Sequence, residues 1–335
     1  MKFNLPQQPH YGQSPFKKGK VTCPVCDRTH RYHCSVTVDG SLALCKYKFS
    51  TEQAKDGRYI HILNASNKMP AYTQTHTPIK EIEIKRADAE MCHAVYTALL
   101  SRLELMPAHG DVLLNERGLS DTTVANNLYA SVPDKANGNR LARALARNFE
   151  LEGVPGFYHQ DESWKLNFPC KGFYIPYRDE RGRIVGLQIR RDTGEPRYIW
   201  LSSVGKPKGS SSGAPLHFVK PDLVKRSGEV LITEGALKAD RISEFSDSAT
   251  VALAGATAMN PEKFTSQLKQ AFPKLAKAVM AFDIDWKVKP EVKSALLRLQ
   301  RTLRTDGFRV DVRVWDAALG KGFDDALYQA ERRAA

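Results

Sequence analysis

The chain has 335 residues, enough for two or three domains with cores of their own. Lysine and arginine number 50 against 37 aspartate and glutamate, a formal charge of +13, which points to a polyanionic partner, nucleic acid before membrane. No apolar run approaches ~18 residues, so no membrane-spanning helix is expected. Residues 1–7 lack the apolar core of a signal peptide, and a cytoplasmic location follows as an expectation. No Gly-x-x-x-x-Gly-Lys-Ser/Thr occurs, which excludes a P-loop helicase engine.

Four of the six cysteines fall early, as Cys23-Pro24-Val25-Cys26, Cys34 and Cys45. Two thiolates separated by two residues grip one face of a tetrahedral ion, and two more close it, with His30 or His33 as substitutes for Cys34. A closed four-ligand zinc site is structural, so no chemistry is expected at the metal. Cys92 and Cys170 stand alone and are expected to pack as small apolar residues. Lys17, Lys18, Lys20, Arg28, Arg31, Lys46 and Lys48 surround the cysteines, with Tyr32, Tyr47 and Phe49 between them. Basic residues interleaved with aromatics suit single-stranded nucleic acid, through phosphate contacts and base stacking; a solvated basic face is the alternative. We assign residues 18–63 to this zinc-binding domain.

A linker is expected over 64–84, poor in large apolar residues and carrying Pro70 and Pro78. A helical region is expected over 85–165. Ala89, Cys92, Val95, Tyr96, Leu99 and Leu103 recur at helical spacing, and Ser120 is a good N-cap for a second helix. A third helix over 139–149 places Arg140, Arg143 and Arg147 along one face, either a phosphate track or a solvated surface.

Residues 166–225 read as a basic, β-rich segment. Its centre, 173–191, is a hairpin with two β-rich runs around a charged turn at Gly182. The six arginines of 166–225, five of them in the hairpin, would repel one another without an anionic partner. Residues 196–203 follow, then a Gly/Ser/Lys loop over 205–213, then Pro215-Leu216-His217-Phe218-Val219.

From 226 to 335 short apolar runs alternate with helical patterns, Ala236–Phe245 and 261–275, with another run at 250–254. This pattern indicates an α/β domain with a parallel sheet buried on both faces. Two runs end in carboxylates, at Glu234 and at Asp283-Ile284-Asp285. Ligands in such folds sit beyond the carboxyl ends of the strands. On extended backbone Asp283 and Asp285 would point to one side, and with Glu234 they would suit Mg²⁺. A last helix over 290–304 closes at Gly307. A strand over 309–315 leads to a third acidic station at Asp324 and Asp325, and 331–335 reads as a frayed tail.

These stations together resemble the TOPRIM domain shared by DnaG-type primases, topoisomerases and some nucleases. The resemblance implies general acid/base chemistry for Glu234 and magnesium binding by Asp283 and Asp285, with Asp324 and Asp325 as the third station. Primases usually carry an Asp four residues after the Glu; Lys238 stands there, and Asp240 is out of register. The hairpin resembles the basic subdomain ahead of TOPRIM in the same primases, with Arg190 and Arg197 at the groove positions and Gln188-Ile189 in place of a glycine pair. The segment 116–120 and the cysteine module also resemble primase elements. The short spacing between the second and third cysteines is closer to modules of phages and mobile elements.

The fold class implied is α/β: a zinc-ribbon-like module, then a DnaG-like core with a Rossmann-like TOPRIM domain. The function implied is synthesis of short RNA primers on a single-stranded DNA template from nucleoside triphosphates, with two Mg²⁺ ions and a separate helicase as a further partner. Nucleic-acid or nucleotide contacts are expected from Arg178, Arg183, Arg190, Arg191, Arg197 and Lys238. Two other readings use the same residues: a TOPRIM nuclease, against which the hairpin counts, and a non-catalytic binder of single strands or nucleotides, which Lys238 favours.

Overall fold

The computed structural model describes residues 21–30, 33–37, 42–48, 50, 54, 58–63, 85–255 and 259–334. The basic or aromatic residues expected at 17, 18, 20, 31, 32 and 49, and the linker over 64–84, lie outside them. The chain forms two compact units, Met1–Glu81 and Ile82–Ala335.

In the first unit β1 (Val21–Thr22) pairs antiparallel with β2 (Thr29–His30), and the turn between them carries Cys23 and Cys26. A second sheet has the order β3 (Ser35–Val36), β4 (Leu42–Cys45), β5 (Tyr59–Ile62). Among the described residues its apolar core is small: Val36 and Ala43, with Val25 and Leu63 packed against them, and the buried Leu42 and Leu44. A core of that size does not by itself repay the entropy of ordering the chain.

The second unit opens with α1 (Ala89–Leu100), where Asp88 caps the N-terminus by accepting from the Met91 N–H at 2.8 Å. Its expected stripe is buried at Cys92, Val95, Tyr96 and Leu99. There follow α2 (Pro107–Asp111), a π-helical turn (Val112–Glu116), α3 (Asp121–Asn126), β6 (Ala130–Ser131) and α4 (Lys135–Leu145). Ser120 caps α3 as expected. The third helix begins earlier than 139 and ends at Leu145, because Asp134 caps it by accepting from Asn137 N–H. β7 (Phe157–Gln160) and β8 (Ser163–Leu166) make a small hairpin.

β9 (Gly172–Arg178) and β10 (Ile184–Arg191) form the expected long hairpin. Its turn is built by Asp179, whose Oδ1 accepts from the N–H groups of Arg181 and Arg183 at 3.0 and 2.9 Å. With β11 (Tyr198–Trp200) they form a four-stranded sheet in the order β11-β10-β9-β6.

The remaining elements are β12 (His217–Val219), α5 (Val224–Ser227), β13 (Glu229–Glu234), α6 (Ala236–Phe245), β14 (Thr250–Leu253), α7 (Pro261–Ala271), β15 (Lys277–Met280), α8 (Pro290–Thr305), β16 (Arg309–Val312) and α9 (Phe323–Ala334). They build a five-stranded sheet, β12-β14-β13-β15-β16, parallel except for β12. On one face α7 and α8 bury Phe264, Leu268, Leu299 and Leu303 against Ile232, Val251 and Met280. On the other, Ile242 of α6 packs with Leu231, Ala281 and the α9 residues Phe323 and Leu327. The chain steps from β13 to β14 on one side, then to β15 on the other, so the strand order reverses at β13.

Two features differ from the sequence reading. Residues 323–334 form a helix that carries the third acidic station and continues to 334, where a frayed tail was expected over 331–335. Residues 284–287 form a 3₁₀ turn, so Asp285 is not on extended backbone and the alternation that would align it with Asp283 does not apply; its side chain lies outside the described residues.

A buried polar chain ties the two sheets of this unit together. Asp240 of α6 accepts from Tyr129 Oη and, at 3.1 Å, from His217 Nε2, while His217 Nδ1 accepts from the Arg178 N–H at 3.0 Å. That backbone donor requires Nδ1 to be bare, which puts the imidazole proton on Nε2, facing Asp240. Asp240 is therefore a structural acid, engaged with the hairpin sheet.

Candidate active site

The carboxyl ends of β13 and β15 open into a cleft of about 360 Å³. Its floor carries Glu234, Asp283, Asp325, Lys238, Lys321 and Gly322, and Arg117, Gln188 and Tyr198 border it from the helical segment and the four-stranded sheet. This is the crevice at a strand-order reversal where α/β sheets bind ligands. Gly235, between β13 and α6, has φ +78°, a conformation that L side chains rarely adopt, which lets α6 begin immediately behind Glu234.

The electrostatics of the cleft are nearly closed. Asp283, almost buried, pairs with Lys238 Nζ through Oδ1 and with Lys321 Nζ through Oδ2 at 3.2 Å. Arg241, one turn beyond Lys238 on α6, reaches Asp325 Oδ1 at 2.7 Å and Asp324 Oδ2 at 3.2 Å. The other Asp324 oxygen, Oδ1, is buried without a hydrogen-bond partner. Burial pushes the Asp324 carboxyl up, against the pull of Lys238 and Arg241. The acids Glu234, Asp283, Asp324 and Asp325 are thus faced by Arg117, Lys238, Arg241 and Lys321.

Gly322 stands between two of these acids. A Cβ there would fall 2.2 Å from Asp324 Oδ1 and 3.4 Å from Asp283 Oδ1. Two hard oxygens, one of them orphaned, border a space that only glycine leaves open. That donor chemistry suits a cation such as Mg²⁺.

In the first unit the Sγ atoms of Cys23, Cys26, Cys34 and Cys45 all lie within 4.8 Å of one another. Burial pushes the Cys34 thiol up to about 12. Burial raises Cys45 too, but the N–H groups of Tyr47 and Lys48, donating to its sulfur at 3.4 and 3.3 Å, outweigh it and hold that thiol below its ordinary value. Four cysteines gathered this way can bind zinc. Cys34 is one of the four clustered thiols, while His33 Nδ1 lies 2.5 Å from the Tyr47 hydroxyl; the His30 side chain lies outside the described residues. Arg28 lies over the Tyr47 ring, 4.7 Å from its centroid, on an exposed face.

No curated protein matches the chain. One family model, described as a domain of unknown function (DUF3854), matches residues 223–334, less than half of the chain. Solved structures match over far more of it. A DnaG primase catalytic domain bound to single-stranded DNA aligns with a TM-score of 0.54 at 16% identity, covering 73% of this chain and 76% of that one. The zinc-binding and RNA polymerase domains of the Aquifex aeolicus primase align with 0.53 at 14%, covering 95% and 79%. The RNA polymerase domain of Mycobacterium tuberculosis primase, bound to double-stranded DNA with an overhang, aligns with 0.51 at 18%, covering 74% and 81%. The fold is that of a DnaG-type primase.

Within this primase fold the hairpin arginines are mostly engaged by the protein itself. Arg183 pairs with Asp179 and Glu90, each at 2.7 Å. Arg190 is buried, 3.6 Å from Glu116 and over the Phe173 ring. Arg178 donates to the carbonyls of Gly182 and Asn126 at 3.0 and 3.1 Å, and Arg191 to that of Pro196 at 3.3 Å. Arg183 and Arg190 thus have carboxylate partners within the protein, and Arg178 and Arg191 have carbonyl ones. Arg197 is exposed, as are Arg140, Arg143 and Arg147. Lys238, expected to contact nucleotide, is paired with Asp283. The sequence reading missed Arg241, whose signal was its helical spacing of three from Lys238, and the roles of Lys321 and Gly322 within the third acidic station.

Proposed function

We propose that the chain is a primase-like nucleotidyltransferase that makes short RNA primers on single-stranded DNA. The observation that carries this reading is the placement of Glu234 and Asp283, from adjacent strands of the sheet, in one cleft of a DnaG-type primase fold. In this reading 226–335 is a TOPRIM domain, 166–225 the basic subdomain beside it, and 18–63 a zinc module held by Cys23, Cys26, Cys34 and Cys45 that helps to seat the template.

Asp283 and Asp285, with Asp324, would hold magnesium, which supplies charge neutralisation at a triphosphate and activation of a 3′-hydroxyl. Glu234 lies beside that position and acts as the general acid/base. Lys321 and Arg117, which border the cleft, give it an anion-binding side for a nucleoside triphosphate. Arg191 ends β10 and Arg197 precedes β11, the Arg191 N–H donating to the Arg197 carbonyl at 2.9 Å, and in this reading both follow a template backbone.

The second reading, a protein that binds single strands or nucleotides without catalysis, is favoured by one observation, the Lys238–Asp283 ion pair. Incubating the full chain with a single-stranded template, labelled ribonucleotides and Mg²⁺ or Mn²⁺ separates them. Template-dependent oligoribonucleotides support the primase reading; shortened template indicates a nuclease; an intact template with no product indicates the binder.

A further inference from the structure

Lys238 holds an unusual position. It rises from the first turns of α6, its side chain 21% exposed, and meets Asp283, whose side chain is 12% exposed. Lys321, on the other oxygen of Asp283, is 58% exposed and can leave into solvent at little cost. Beyond Asp283, across Gly322, lies the unpartnered and fully buried Asp324 Oδ1. A carboxylate oxygen without a partner at such depth is costly. The ammonium of Lys238 thus sits at the edge of a space bordered by two hard oxygens, where a divalent ion would gain most.

We propose that Lys238 is a built-in cation that competes with a divalent metal ion for Asp283, so that the ion binds only as Lys238 leaves that carboxylate. The inference rests on reading this cleft as a metal-dependent site, and it goes beyond that reading by making metal occupancy a displacement. A cation in contact with a ligand oxygen repels an incoming ion strongly at this depth, and it also removes the lone pairs that the ion needs. Asp324 Oδ1 needs no such release, having no partner to give up.

The test is a Mn²⁺ titration of the full, zinc-loaded chain, with free Mn²⁺ counted by electron paramagnetic resonance. Lys238→Met should bind Mn²⁺ about tenfold or more tightly than wild type, equivalent to about 1.4 kcal/mol. Lys238→Arg, which keeps the charge, should stay near wild type, and Lys321→Met should gain less than Lys238→Met. Equal or weaker binding by Lys238→Met with an unchanged melting temperature would overturn the proposal. A second measurement needs no variant. Saturating Mg²⁺ should raise the acylation rate of Lys238 in the wild-type chain, read by mass spectrometry, and an unchanged or lowered rate would contradict the displacement. Neither readout involves primer synthesis. A chain that makes no primers yet shows both effects loses the primase reading and keeps this one, and the reverse outcome separates them the other way.

Discussion

Lys238 of α6 and Asp283, after β15, form an ion pair across the cleft, and Lys321 holds the other oxygen of the same carboxylate. The pair is largely shielded, so its two members should be energetically coupled. A double-mutant cycle of Lys238→Met and Asp283→Asn should give a coupling of about 1–3 kcal/mol in denaturant unfolding. Additive single effects would mean that the pair does not hold in solution.

Asp324 should make stability depend on pH in a specific direction. Its carboxyl is raised in the folded state, first by burial, so the folded chain holds that proton to higher pH than the unfolded chain does. The stabilising contribution is full below the unfolded carboxylate value, near 3.9, and is lost as pH rises through the folded value. Asp324→Asn escapes that loss, and Arg241 keeps Asp325 as a partner. The melting temperature of the variant should therefore gain on wild type as pH increases from about 4 toward neutrality, in the absence of divalent metal. A gap that shrinks with rising pH would show that the Arg241 contact dominates.

The four cysteines should carry one zinc per chain. Among the described residues the apolar core around Val36 and Ala43 is small, and metal binding and folding should be one event in the first unit. Cys34→Ser should lose the zinc, measured by elemental analysis, and chelation of the wild type should abolish the dispersion of amide signals from that unit only. Full zinc in the variant would move the fourth ligand to another residue.

Arg183 and Arg197 should separate structure from binding. Arg183 joins the hairpin turn to α1 through Asp179 and Glu90, and Arg183→Ala should cost about 1–2 kcal/mol of stability with no change in the salt dependence of single-strand affinity. Arg197 is exposed, and Arg197→Ala should leave stability unchanged and reduce the salt slope by about one phosphate contact. The opposite pattern would reverse the assignments.

These arginines also mark the limit of what the sequence discloses. The hairpin, its turn at Asp179 and Gly182, the α/β alternation and the cysteine cluster are local patterns, and each is found in the structure. The partners of Arg183 and Arg190 are Glu90 and Glu116, distant in sequence and brought close only by packing of the helical segment on the sheet. Asp285 reads as a strand residue because the apolar run before it is strong, but β15 ends at Met280 and a 3₁₀ turn intervenes. Asp324 and Asp325 were read only as an acidic station, whereas they open α9, since acids in a first helical turn favour the positive end of the helix dipole. The departure at Lys238 was visible in the sequence; its partner was not.

Primer synthesis itself is the most direct test. The full chain, a single-stranded DNA template, the four ribonucleoside triphosphates and Mg²⁺ or Mn²⁺ should yield template-dependent oligoribonucleotides. Glu234→Gln and Asp283→Asn should each lower the rate by on the order of 10²–10³ while single-strand binding is retained. A wild type that makes no product with either metal on any template, yet binds single strands, would contradict the account and leave a nucleic-acid binder on a primase fold.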